Sequence, residues 1–328
     1  MTDTVASDFE IDCSAFGKVA VLLGGLSAER EISLKSGADV LAALQHRGVD
    51  AHGVDVGRDI VSVLLAGKFE CAFIALHGRR GEDGVMQGLL ESLNIPFTGS
   101  GVLGSALSMD KIRSKQLWLS VGIPTPKFVA LHEGSDWAAI VKDLGLPLAV
   151  KPVREGSSLG TTRVEHLDEL QPAWQDAVAF DDAVMAEPWV LGEEYTVAIL
   201  GDEALPVIRL ETPRTFYDYL AKYKTNDTLY HCPSGLDADT EKTIQALALR
   251  AFEALGATGW GRIDLMVDGN GQPWLLENNT VPGLTDHSLV PMAAKAAGIA
   301  FDELILRILS ATHASGGSDL MGEISHGC

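Results

Sequence analysis

Cysteine is scarce: the 328 residues hold four, Cys13, Cys71, Cys232 and Cys328, and no two form a CxxC pair. Without that spacing neither a structural zinc site nor a disulfide framework is expected, and a reducing cytoplasm is the compartment that fits. Positive charge is also in deficit. Lys and Arg number 25 against 45 Asp and Glu, a net charge of -20, and no basic stripe offsets it, which argues against a nucleic-acid partner. No apolar run reaches the roughly 20 residues that a membrane-spanning helix needs, so no membrane partner is expected. Residues 1–17 carry neither a basic region nor an apolar core and read as a frayed leader rather than a signal peptide. Two nucleotide signatures are missing as well. The first glycine turn lacks GxGxxG, which disfavours a nicotinamide enzyme, and GxxxxGK(S/T), the P-loop, occurs nowhere in the chain. There is no internal repeat.

What is present is a soluble globular composition, 46% hydrophobic and 21% charged, in a chain long enough for two or three domains. Residues 18–23 form an apolar strand running into Gly-Gly-Leu-Ser-Ala-Glu-Arg-Glu, after which a helical pattern continues to Gly48. Strands at 49–56 and 71–76 with helical stretches between them make the first hundred residues a parallel, doubly wound sheet. Functional loops belong at the carboxyl ends of such strands. The two that qualify hold Glu29 and the run from His77 to Gly84. On the residues alone, Glu29 also suits a favourable charge at a helix N-terminus, and His77 a capping or solvent-facing position.

A composition shift near residue 100 marks a boundary. One helix carrying Met-Asp-Lys-Ile-Arg-Ser-Lys (109–115) is expected to end before Pro124, followed by a strand (128–131), a helix (136–144) and the apolar run 146–153. Lys151 lies inside that run, where an unpaired ammonium is costly, so it either snorkels or meets an anion. The loop after it, Arg-Glu-Gly-Ser-Ser-Leu-Gly (154–160), favours the anion, because glycine and hydroxyl residues let backbone N–H groups wrap phosphate. The strand 185–190 contains Glu187, Trp189 and Val190 and leads to Glu194, a pattern that suits an adenosine pocket as well as an ordinary interdomain strand. A hairpin (195–200 and 204–211) precedes the irregular, aromatic span 212–235, which fits a lid or a packed Ω-loop. Helices at 238–255, 288–297 and 301–311 complete the pattern, and the Gly- and Ser-rich residues after His313 read as a disordered tail.

The most informative stretch is 261–279, two β-prone runs flanking Asp-Gly-Asn-Gly. A turn symmetric about Asn270 and Gly271 places Asp264 across from Glu277 and Arg262 across from Asn279, all on one face. Opposed carboxylates repel. A divalent cation turns that repulsion into coordination, with Asn279 as a third ligand and Arg262 beside the site for an anion. The alternative is a solvated face on which Arg262 neutralises the two acids, and spacing alone leaves both open.

The order of these signals resembles the ATP-grasp carboxylate-amine ligases, and within them the D-alanine:D-alanine ligase family. The similarity runs over residues 18–310. Its most specific carriers are LLGGLSAERE, ALHGRRGEDG, TGSG, SMDKIRSK, KPVREGSSLG, FYDYLAKY, GWGRID, LLENNTVPG and HSLVPMA. The resemblance implies an α/β and α+β architecture: an ATP-grasp fold preceded by a Rossmann-like parallel-sheet domain. The expected divisions are 18–100, 101–190 and 191–313, with the lid at 212–235 and the tail at 314–328. It implies ATP and Mg2+, with Mn2+ able to substitute, D-alanine as substrate, and a homodimer. Lys111, Lys151 and Lys222 hold phosphates in that reading, and Glu187, Trp189, Val190 and Glu194 form the adenosine pocket. Asp264, Glu277 and Asn279 match the metal ligands. Glu29 meets the first substrate's ammonium, with Ser157 and Tyr223 linked to it, and His77 adjoins the substrate. Arg262 and the backbone N–H of Gly283 form an oxyanion hole, and Ser288 helps to hold the second carboxylate. The tyrosine-bearing lid favours a peptide product over an ester. The chain departs from the family pattern at Leu220, Pro188 and Asn278, none of which removes a catalytic group.

Overall fold

The computed structural model of the chain describes residues 11–212, 228–285 and 288–315. The expectations for Leu220, Lys222, Tyr223, most of the 212–235 span and the tail beyond Ser315 therefore lie outside the described residues. The opening sheet is parallel, in the order β2-β1-β3, from β1 (Lys18–Leu23), β2 (Asp50–Asp55) and β3 (Cys71–Ile74). Helices α1 (Arg30–His46), α2 (Ile60–Gly67) and α3 (Val85–Ser92) connect and follow these strands. All four residues of β3 are buried, the signature of a strand covered on both faces. Cys13, Cys71 and Cys232 are free thiols.

A single helix across 109–115 is not what forms. The chain makes α4 (Val102–Met109), breaks at Asp110 and restarts as α5 (Lys111–Ser120). Asp110 sits in extended backbone (φ -91°, ψ 98°) and its carboxylate accepts from the Arg113 N–H at 3.0 Å. A side-chain cap of this kind satisfies an amide that the new helix would otherwise leave open. Its consequence is positional, because Lys111 becomes the first residue of α5 and side chains there lean back past the N-terminus.

The next sheet is antiparallel, ordered β4-β7-β5-β6, from β4 (Val129–Leu131), β5 (Leu148–Pro152), β6 (Thr162–Val164) and β7 (Val184–Pro188). Leu148, Val150, Val184 and Ala186 face a core shared with α6 (Trp137–Leu144) and α7 (Leu170–Val178). By the two-residue period of a strand, Ala149, Lys151 and Glu187 point the other way.

The last sheet runs β11-β10-β8-β12-β13, with β9 (Glu203–Ala204) paired to β8 (Gly192–Leu200). Its other members are β10 (Ile208–Glu211), β11 (Leu229–His231), β12 (Trp260–Asp268) and β13 (Pro273–Asn279). The 212–235 span is thus not irregular throughout, since β11 pairs with β10 through Arg209 opposite His231. Three residues are too few to show alternation in a sequence. Helix α8 (Ala238–Ala254), capped by Asp237, covers one face with Ile244, Ala248 and Phe252. Helices α9 (Leu289–Ala296) and α10 (Phe301–Ser315) fill the space toward the opening sheet, where Leu304, Ile305 and Leu309 share a core with Leu22 and Phe73.

The approach of α4 to the turn after α8 depends on Gly104, where an added Cβ would lie 2.4 Å from the Gly256 carbonyl oxygen. Alanine inside a helix gains about 1 kcal/mol of propensity over glycine, whereas overpacking against backbone costs about 1–3 kcal/mol. Gly104→Ala is therefore expected to lower the melting temperature by several degrees, read by thermal unfolding. An unchanged or raised value would show that the contact yields.

Candidate active site

A cavity of about 620 Å³ lies between the central and the last sheets. The central sheet gives it Lys151 and Glu187, and the strand exit gives it Trp189 and Val190. The opposite wall carries Glu194 from β8, Asp264 from β12 and Glu277 from β13, and Lys111 closes one end. Eight residues singled out from the sequence thus meet in one space although they span 167 positions (111 to 277). Arg163 stacks its guanidinium 5.2 Å from the Trp189 ring centroid, on the cavity rim.

The cations are not isolated. Lys151 Nζ lies 2.5 Å from Glu187 Oε1, and Lys115 Nζ lies 2.8 Å from Glu187 Oε2. Lys115 is fully buried and also donates to Thr125 Oγ1 at 2.6 Å. Burial pushes the Lys115 ammonium down to about 8, against the attraction of Glu187. Burial alone would raise the Glu187 carboxyl, but Lys115 and then Lys151 outweigh it and hold it below the usual range. Lys111 Nζ donates to the Glu155 carbonyl at 2.8 Å and stands 3.1 Å from Glu277 Oε2.

On the hairpin, Arg262 pairs with Asn279 and Asp264 with Glu277, the pairing that a symmetric turn predicts. The turn itself is different. Val267 pairs with Pro273, the Asp268 N–H reaches the Gln272 carbonyl at 3.0 Å, and Gly271 takes φ 79°, so the loop has one residue more than a symmetric one. That alone would displace every later pair. A bulge after Asp264 restores the register, because Leu265 faces Leu275 and Leu276 is left as the extra residue. Leu276 and Glu277 consequently both line the cavity, which successive residues of a regular strand cannot do.

Asp264 is the hub of this face. Arg262 grips it with Nε at 2.8 Å and Nη2 at 2.7 Å, Thr196 Oγ1 donates at 2.7 Å and Asn279 Nδ2 at 3.0 Å. Among the described residues no three His, Cys, Asp or Glu side chains cluster as a metal site. The hairpin set consists of two carboxylates and one amide, which offer a cation oxygen atoms, the chemistry a hard divalent cation prefers, with the Asn279 nitrogen turned to Asp264.

Toward the opening sheet, Ser157 Oγ donates to the buried Glu29 at 2.5 Å. His77 is neither exposed nor a cap. Its Nδ1 meets the Val281 carbonyl at 2.9 Å and must carry the proton, leaving Nε2 to accept from Ser36 Oγ at 3.2 Å. Burial lowers the His77 pKa and favours this neutral form. Ser36 Oγ in turn accepts the Leu284 N–H at 3.3 Å, so the network secures both flanks of Gly283. An added Cβ at Gly283 would lie 2.9 Å from Ser288 Oγ, which accepts the Thr285 N–H at 2.9 Å.

Residues 117–310 match the family model described as D-ala D-ala ligase C-terminus, and residues 61–100 match D-ala D-ala ligase N-terminus. The chain belongs to the D-alanine:D-alanine ligase family. A D-alanine:D-alanine ligase of Nitrosococcus oceani is 61% identical over 302 residues, 92% of this chain and 96% of that protein. Among solved structures, a D-alanine:D-alanine ligase from Bacillus anthracis aligns at 34% identity with a TM-score of 0.82 over 91% of this chain and 98% of its own. A D-Ala:D-Ser ligase from Enterococcus faecalis aligns at 30% identity and 0.78 over 90% and 99%.

Sequence reasoning passed over several residues in and behind the cavity that the family fold brings in. Lys115, buried behind Glu187, was legible, being one helical turn from Lys111 on the same face of α5. Met266, which lines the cavity, continues the Arg262, Asp264 alternation. Leu276 was not legible, since only the bulge turns it inward.

Glu82 is a second, half-buried acid near Glu29, and its Oε2 accepts the Gly78 N–H at 2.7 Å. Burial, reinforced by the charge of Glu29, pushes its carboxyl up to about 8 from 4.5. The folded chain then holds a proton that the unfolded chain has released, so this contribution to stability is full below about 4.5 and is lost as pH rises toward 8. Relative to wild type, Glu82→Gln is expected to gain melting temperature progressively between pH 5 and 8 (about the range set by the two values) and to level off above. A pH-independent difference would overturn this.

Proposed function

We infer that the chain is an ADP-forming ligase that joins two D-alanine molecules into D-alanyl-D-alanine, a step of peptidoglycan precursor synthesis. The observation that carries this is the single cavity in which Lys111, Lys151 and the Glu187 pocket face the Asp264–Glu277 pair. A Bacillus anthracis relative at 31% identity and TM-score 0.81 was crystallised with ATP, which supports ATP as the co-substrate.

In this reading one D-alanine carboxylate attacks the γ-phosphorus of ATP, ADP leaves, and an acyl phosphate forms. The amine of a second D-alanine then attacks the acyl carbon and inorganic phosphate departs. Transfer between two anions requires screening of negative charge, which Lys111, Lys151, Arg262 and, outside the described residues, Lys222 provide. Trp189, Val190 and Glu194 hold the nucleoside, Glu194 at the ribose, and the loop of residues 155–160 covers the phosphates. Asp264, Glu277 and Asn279 would hold Mg2+ or Mn2+ through their side-chain oxygens, and such an ion would supply neutralisation of phosphate charge. Glu29 receives the first ammonium, with Ser157 and Tyr223 in its hydrogen-bonded set. Arg262 and the Gly283 N–H stabilise the oxyanion, and Ser288 holds the second carboxylate. His77, through Val281 and Ser36, fixes the loop on which Gly283 stands. An acyl phosphate hydrolyses readily, so the loop and the 212–235 lid serve to exclude water.

Three separate sheets support the proposed divisions near residues 100 and 190, although one face of the last sheet, through Ala198, Ile208 and Leu210, shares a core with the opening sheet, as do α9 and α10. No helix among the described residues is long and apolar enough to cross a membrane. A cytoplasmic homodimer is proposed on the family resemblance.

Phosphate release with ATP and Mg2+ is expected with D-alanine and not with L-alanine, and inclusion of D-serine or D-lactate tests the second reading suggested by the D-Ala:D-Ser ligase neighbour. No turnover with D-alanine would refute the assignment. Glu277→Gln is expected to slow turnover by about 100-fold or more and to raise the Mg2+ concentration required. Near-wild-type kinetics would remove Glu277 from the metal set.

A further inference from the structure

The loop after β5 is fastened at two points. Inside the site, Ser157 meets Glu29. Outside it, Arg79 from the loop after β3 reaches across: its Nε donates to Glu155 Oε1 at 2.7 Å, and its Nη2 lies 3.0 Å from Asp181 Oδ1. Asp181 stands in the turn between α7 and β7 with its side chain wholly buried. It also receives the Arg154 N–H at 2.8 Å and Arg154 Nη2 at 2.7 Å. Against its burial, the hydrogen bonds from Arg154 above all hold the Asp181 carboxyl well below the usual range.

We infer that Arg79 is a positioning residue for the ligase reaction, clamping Glu155 and Asp181 so that the loop of residues 155–160 stays folded over the phosphate end of the cavity. The inference rests on the ATP-site reading above. Three observations carry it. First, the loop holds two non-glycine residues at positive φ, Ser157 at 54° and Ser158 at 58°. Such backbone persists only where surroundings impose it, and Glu155 gives the Arg79 side chain a hold on it beside the one that Ser157 has on Glu29. Second, the clamp connects to the chemistry, since the Glu155 carbonyl receives Lys111 Nζ, which also stands beside Glu277. Third, the residue type matters: one planar guanidinium meets carboxylates on two different elements, which a single ammonium on a flexible stem does less well. Arg79 is 43% exposed, so its hold is open to screening by salt. An isolated exposed pair would contribute little, and the buried Asp181 is what separates this arrangement from one.

The test compares wild type with Arg79→Gln and Arg79→Lys. Hydrogen–deuterium exchange of peptides covering residues 153–161 in the ligand-free chain reads the loop directly. Arg79→Gln is expected to speed exchange there by about tenfold and to raise KM for ATP by about five- to twentyfold with a smaller change in kcat. Arg79→Lys should fall between. Raising salt from about 0.05 to 0.5 M should move the wild-type KM toward that of Arg79→Gln while leaving the variant nearly unchanged. Unaltered exchange and KM in Arg79→Gln, with Glu277→Gln still impaired, would overturn the inference and leave Arg79 as a surface ion pair. Faster exchange with unaltered KM for ATP would overturn the placing of this loop over the phosphates. Failure of the underlying ATP-site reading gives a different result, near-wild-type turnover in Glu277→Gln.

Discussion

Asp264 and Glu277 face each other from neighbouring strands, and a like-charged pair in that position is unfavourable unless something positive meets it. The structure supplies that compensation from several directions. Arg262 comes from the same strand, and Lys111 comes from the start of α5, placed there by the break at Asp110. Lys111 also takes the Glu155 carbonyl, so the loop that leaves the central sheet is drawn to the same point. The gap between the two sheets can therefore be lined by charge without coming apart.

The same rule governs the other side of the cavity. Glu187 projects from the central sheet's cavity face and is held between Lys115 and Lys151, one ammonium wholly buried and one reaching the cavity. Removing one partner of such an arrangement strands a buried charge, which is why these residues stand or fall as a set. The opening sheet contributes mainly by fixing loops. Through His77 and Ser36 it secures the segment bearing Gly283, and through Glu29 and Arg79 it meets the 155–160 loop. The Gly283 segment and the 155–160 loop thus share their supports, which in the proposed reaction would align substrate and nucleotide together before water is excluded.

Much of this was readable from residue order, although not always for the reason given. The pairing of Asp264 with Glu277 follows from a symmetric turn, yet the turn is one residue longer and a bulge at Leu276 cancels the error. Two compensating irregularities leave no trace in an alternating pattern, so the pattern predicts the site and misses Leu276. The helix break at Asp110 carried a signal, an N-cap residue before a basic turn, that a continuous helical pattern masked. Strand β11 carried too little signal, and a buried His77 with both nitrogens occupied carried none, because its partners Ser36 and Val281 lie 41 and 204 positions away.

The sequence by itself determined the fold class, the family and the chemical inventory: paired acids, lysines in an apolar strand and at a helix start, a glycine-serine loop, and no surplus of positive charge. Such features are local, set by period, capping and residue type, and they survive without knowledge of neighbours. Tertiary structure decided which of those groups meet. Lys115 opposite Glu187, Arg79 on Asp181 and Ser157 on Glu29 each depend on where separate segments are brought, and on burial that makes a charge seek a partner. Desolvation and short-range contact exist only once the sheets have packed, so the electrostatic wiring of the cavity belongs to the folded chain and the hairpin's acids acquire their role only there.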